Sequence, residues 1–218
     1  MRKLSPRPVS PRSQFAIIDS ITIGHAFVGD ERLTRPLLQR ESEGSGANDN
    51  VVRRTHPCIE AARRQAYREL PYGAEIQKEW GILIYKSHGR WCTSVPIEGT
   101  EDEVPFRVGR RNGEIITLDG RYGIAGHHPV VEFAHTHPVD PGRDYINFSG
   151  GASGDIWWAE RLGIPFSMRY ADRVSLFDPN RMKVGRHPVT QEILGHPGRT
   201  LFRMGKPKES RSRCDYTG

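Results

Sequence analysis

Apolar and polar positions alternate through Val130–His137 (VVEFAHTH), which predicts a β-strand with Val131, Phe133, His135 and His137 on one face. Pro138 cannot donate to a ladder and marks the end of that strand. Upstream, Glu79–Tyr85 (EWGILIY) is a continuous apolar run of the kind expected in a central strand. Ser87-His-Gly-Arg90 supplies turn chemistry, and Trp91–Ile97 is expected to return as the partner strand of a hairpin. Weaker strand patterns occupy Phe106–Val108 and Ile115–Leu118. Ile164–Tyr170 and Arg173–Phe177 read as two closing strands joined at Ala171-Asp172.

Two stretches carry a helical period instead. Cys58, Ala62, Ala66 and Leu70 recur every fourth residue and are expected to face the core, with Pro57 suited to the first turn and Pro71 stopping the helix. Asp155–Leu162 predicts a second helix, ended by Gly163. The order of helix, hairpin, further strands, helix and paired strands predicts an α+β fold, an α/β sandwich in which helices pack a mixed β-sheet. Residues 1–14 are rich in Pro, Ser and Arg and are expected to be disordered. The short apolar runs Phe15–Ile18 and Ile21–Ile23 predict either a strand or a segment docked on the domain, and Arg40–Asn50 reads as a Gly/Ser/Asn linker. The expected organisation is an N-terminal extension and linker over 1–50, one domain over 51–180 and a basic, solvated tail over 181–218.

Composition narrows this further. A chain of 218 residues has room for one ordinary domain with extensions. No apolar run approaches membrane-spanning length, so no membrane partner is expected. Cys58, Cys92 and Cys214 form no metal-ligand spacing, and no standard secretory signal is evident. A reduced, cytoplasmic setting is therefore expected, with delivery by a specialised secretion system as the alternative. The net charge of +6 lies in the ends: residues 181–218 hold 9 Lys and Arg against 3 Asp and Glu, whereas residues 57–180 hold 14 against 17. A nucleic-acid partner is not expected except through the basic tails.

The chemistry centres on the alternating strand and the helix that follows it. Side chains two apart on a strand point the same way, so His135 and His137 project together, as two ligands of one ion must. The positive end of the second helix favours an ionised carboxylate at Asp155. Two imidazoles and a carboxylate suit Zn²⁺ with a fourth position left for water. Hydrolysis also needs a carboxylate that takes the water's proton without binding the ion. Glu79, just before the apolar strand, is the candidate, in preference to nearby Glu75.

These residues carry a resemblance. Glu79-Trp-Gly-Ile, then His135-Thr-His137-Pro138, then Ser and Asp155 opening a helix, resembles the JAMM (MPN+) zinc metalloproteases, whose pattern is Glu, His-x-His-Pro and Ser-x-x-Asp. Gly154–Ala159 and Gly163–Phe166 are similar to JAB-type domains of bacterial polymorphic toxins. The resemblance covers about residues 57–180. It implies a JAMM/cytidine-deaminase-like fold and a zinc peptidase or isopeptidase acting on a protein or peptide, including ubiquitin-like substrates. His135, His137 and Asp155 would hold the metal, and Glu79 would serve as acid/base. The family's serine would fall at position 152, which is Ala152 here. Ser153, assigned to the oxyanion, is one residue too close to Asp155, and Ser149, the alternative, is three too far. The competing readings are a toxin or effector module using the same chemistry, and a non-catalytic binding domain.

Other features read as structural. His127-His128 are adjacent, point to opposite sides of a strand and are expected in a polar loop. Trp157 and Trp158 are expected to pack the helix, and Cys92 to be buried in a strand. The loop Val139–Gly154, which includes Arg143, Asp144 and Tyr145, is long enough to cover the site or select substrate.

Overall fold

In the computed structural model, which describes residues 15–24, 54–139 and 146–205, the elements follow the chain as β1 (Phe15–Gly24), β2 (Thr55–His56), α1 (Ile59–Glu69), β3 (Trp80–Ser87), β4 (Arg90–Thr93), β5 (Ile97–Glu98), β6 (Glu103–Arg111), β7 (Glu114–Ile116), β8 (Val130–Thr136), α2 (Asp155–Leu162), β9 (Phe166–Tyr170), β10 (Arg173–Phe177) and β11 (Arg199–Arg203). The expected disorder over 1–14, the linker over 40–50, Arg143, Asp144, Tyr145 and the basic stretch beyond residue 205 lie outside the described residues.

The apolar run of β3 lies inside an eight-stranded mixed sheet. Seven of its strands run in the order β11-β10-β9-β8-β3-β4-β2, and β5 pairs with the start of β3. Only β8 and β9 pair parallel within it, and α2 lies between them in the chain, as a parallel connection requires. The other pairs are antiparallel. A separate three-stranded sheet, β1-β6-β7, brings the N-terminal apolar runs against β6. The protein is thus a mixed sheet with two short helices, mostly β with some α.

Each face of the large sheet carries its own core. On one, Ala62, Ala66 and Tyr67 of α1 pack with Ile82, Ile84, Ala134 and Val174. On the other, Leu83, Phe133, Phe166 and Met168 pack with Ile156 and Ala159 of α2 and with Val104 and Phe106 of β6. His135 sits in register between Gly81 and Met168, so it belongs to this second face. Gly81 is required there: a Cβ would meet Phe106 Cζ at 2.3 Å and Val104 Cγ1 at 2.7 Å. Its missing side chain lets β6 close down beside the histidine strand, with the Phe106 and Phe133 rings edge to face at 4.8 Å.

Several expected boundaries move. Cys58 lies outside α1 in extended backbone, at φ −151° and ψ 167°, while Ala62, Ala66 and Leu70 are buried as expected. Trp91–Ile97 is not one strand: β4 ends at Thr93, Ser94 Oγ accepts the Leu83 N–H at 2.9 Å, and the chain turns before Ile97 resumes pairing as β5. Ordered structure also runs past residue 180. β11 adds to the edge at β10, and the Ile193–His196 segment lies on the loop before α2.

A charged pair is enclosed between α1 and the sheet. Arg63 donates through Nε and Nη2 to Glu132 Oε2 at 2.8 and 2.6 Å, Ser167 Oγ donates to Glu132 Oε1, and Tyr67 OH donates to Ser167 Oγ at 2.8 Å. Glu132 is fully buried, so each charge depends on the other and on these hydroxyls.

Candidate metal centre

Strand β8 carries His135, His137 follows one residue past its end with its N–H donating to Arg169 O at 2.9 Å, and α2 brings Asp155 to them from across the core. Their Nε2 atoms are 3.0 Å apart. Asp155 Oδ1 lies 3.3 Å from His135 Nε2, and Oδ2 lies 3.4 Å from His137 Nε2. One ligand atom from each of the three residues falls within 4.8 Å of the others, and all three residues are fully buried. Two ligands of a tetrahedral zinc, each about 2.0–2.1 Å from the ion, are separated by roughly 3.3 Å, so the spacings match one face of such a tetrahedron.

Glu79 completes the group. It ends the loop that enters β3 and is fixed at the backbone, its N–H donating to Thr100 O at 2.7 Å and its carbonyl accepting from Gly99 at 2.9 Å. The next residue, Trp80, donates its N–H to Thr136 Oγ1 at 3.0 Å, tying this end of β3 to the threonine between the two histidines. Glu79 Oε1 lies 3.8 Å from His137 Nε2. The carboxylate is fully buried, whereas the rival Glu75 is exposed.

The electrostatics divide the two carboxyls. Burial, with Asp155 next, raises the Glu79 carboxyl well above the usual carboxylate range. Burial would push Asp155 upward too, but the imidazoles of His135 and His137 outweigh it and hold that group well below its usual value. Burial also lowers the His135 imidazole, against the pull of Asp155. Both Glu79 oxygens and Asp155 Oδ1 are buried and accept no hydrogen bond among the described residues. Unpaired buried oxygens cost folding energy, and a cation among two imidazole nitrogens and these oxygens would satisfy them. His135 Nδ1 likewise has no acceptor among the described residues. The donor set could hold a metal ion, and no other group of this kind occurs among the described residues.

The two candidate serines fall in different places. Ser153 is exposed at φ +69° in the loop before α2. Ser149 is buried and bonded to Asp155, with both its backbone N–H and its hydroxyl donating to Oδ2, at 2.8 and 2.9 Å. The residues read as structural occupy structural places. His127 and His128 bond to the carbonyls of Thr117 and Ala125, Trp157 and Trp158 pack partly buried against the core, and Cys92 is buried in β4. The buried Arg63 and Tyr67 were not legible in the sequence, because their partners Glu132 and Ser167 are far along the chain. No helix among the described residues is long and apolar enough to cross a membrane.

Comparison with known proteins adds no relative: no family model, curated protein or solved structure matches this chain.

Proposed function

We propose that this chain is a zinc-dependent hydrolase of peptide or isopeptide bonds, built on a JAMM-type, cytidine-deaminase-like version of the mixed sheet. The observation that carries the reading is the convergence of His135, His137 and Asp155 from two elements on one buried point, with Glu79 beside them. A zinc ion held there would supply Lewis acidity and ease the ionisation of water near neutral pH. His135 and His137 offer Nε2, and Asp155 offers a carboxylate already held in its charged form. Glu79 takes the attacking water's proton and returns it to the departing amine. Its raised affinity for protons suits both halves of that exchange. The expected substrate is a protein or peptide, with ubiquitin-like conjugates one class to test, and a toxin or effector role would use the same chemistry.

The complete burial of all four groups favours one other reading, a closed structural metal site with Glu79 as fourth ligand. One set of measurements separates the two. Purified protein is expected to hold about one zinc per chain, and Asp155→Ala to lose most of it. Glu79→Gln keeps the zinc and abolishes cleavage of isopeptide-linked and peptide substrates if Glu79 is the acid/base. Zinc lost with Glu79→Gln makes it a ligand and the site structural, and metal retained by Asp155→Ala removes the assignment.

A further inference from the structure

Ser149 stands six residues before Asp155, too far for the family spacing, yet it is the serine that meets the candidate ligand. Its backbone N–H and its hydroxyl both donate to Asp155 Oδ2, and its Oγ in turn accepts the Asp155 N–H at 2.8 Å. Its carbonyl accepts the next helical N–H, that of Ile156, at 3.2 Å. The formal N-cap, Gly154, has no side chain to give, so Ser149 caps α2 from across the loop. The same contacts occupy one oxygen of Asp155 and leave the other, Oδ1, buried without a hydrogen bond beside His135.

We propose that Ser149 is a positioning residue for the metal ligand: it clamps Asp155 Oδ2 so that Oδ1 is held out to the cation, instead of donating to a reacting oxygen. The inference rests on the metal-centre reading above. Partners that orient a ligating carboxylate characteristically govern metal affinity.

A second set of contacts holds Ser149 itself. Phe148 and His196 exchange backbone hydrogen bonds at 2.9 and 3.2 Å, and the Gly151 N–H donates to Ile193 O at 2.9 Å, so the Ile193–His196 segment straps the loop on both sides of the serine. Gly150 lies under this strap, where a Cβ would meet Ile193 O at 2.1 Å. Gly150→Ala therefore disturbs the loop while leaving every group around Asp155 chemically intact.

The test is zinc affinity of the full chain, by competition with a chromophoric chelator, beside the thermal midpoint of the metal-free protein. Ser149→Ala is expected to weaken zinc about 10–100-fold, Ser149→Thr to restore most of that loss, and Gly150→Ala to weaken it in the same direction. A residue that only caps α2 would lower the midpoints of metal-free and metal-loaded protein together and leave the affinity unchanged. Affinity within twofold of wild type in Ser149→Ala, or no recovery with Ser149→Thr, overturns the assignment. Should Ser149→Ala fail to fold, Gly150→Ala decides, and unchanged affinity there also overturns it. Wild-type protein that binds no zinc removes this inference together with the metal-centre reading, whereas tight wild-type binding with indifferent variants removes this inference alone.

Discussion

Glu79 and Asp155 share one buried cluster and are driven in opposite directions. In metal-free protein the folded state keeps a proton on Glu79 that the unfolded chain releases above its ordinary 4.5. The associated stability is present below that pH and is lost as pH rises toward the folded-state value. Asp155 has the reverse sign, its contribution present above the ordinary 3.8 and lost as pH falls through the lowered value. His135 behaves likewise below 6.5. Glu79→Gln removes the Glu79 contribution. The variant, after chelator treatment, is expected to melt higher than wild type at pH 7 and to lack wild type's decline above pH 4.5, as a pH series of thermal melts would show. The four side chains were legible in the sequence because each depends on local position: two residues apart on a strand, first in a helix, last before an apolar run. Ser149 was not, since its reach to Asp155 depends on the path of a loop that no periodicity describes.

At the scale of elements, α1 is held to the sheet by more than its alanines. A buried ion pair is costly to break singly, because the partner left behind stays charged and out of water. Arg63→Met alone and Glu132→Leu alone are each expected to destabilise by about 3–5 kcal/mol, whereas the double replacement recovers most of the loss. Denaturant titration of the four proteins checks this, and additive single effects would mean the pair is not coupled. Sequence periodicity marked Ala62, Ala66 and Leu70 but gave no sign of Arg63, which reads as a solvated residue until Glu132, 69 positions away, is brought under it. Strand pairing failed for a similar reason. β1 meets β6 across some ninety residues, and the alternation within either strand does not name the other.

For the molecule as a whole, residues 181–205 belong to the fold. Leu201 and Phe202 pack partly buried against the α1 face, the Arg64 guanidinium lies 4.5 Å from the centre of the Phe202 ring, and Ile193 is buried in the opposite core. A chain ending at Asn180 loses these apolar contacts, worth roughly 2–4 kcal/mol. Its thermal midpoint is expected to fall by roughly 5–10 °C, and its zinc affinity to fall as well, because the strap over Ser149 goes with it. Equal midpoint and affinity in the shortened chain would show the segment to be dispensable. Composition hid this element: five residues of strand in a stretch dense with Arg, Pro and Gly resemble a solvated end until β10 offers an edge.

The strap also sets an order of events during synthesis. His135, His137 and Asp155 leave the ribosome well before Ile193 and His196, so a nascent chain presents all three ligands while the loop beside them is still unpinned. On the proposed reading, full grip on an ion waits for translation to pass His196, and a stalled or prematurely terminated product carries the ligand set without the strap.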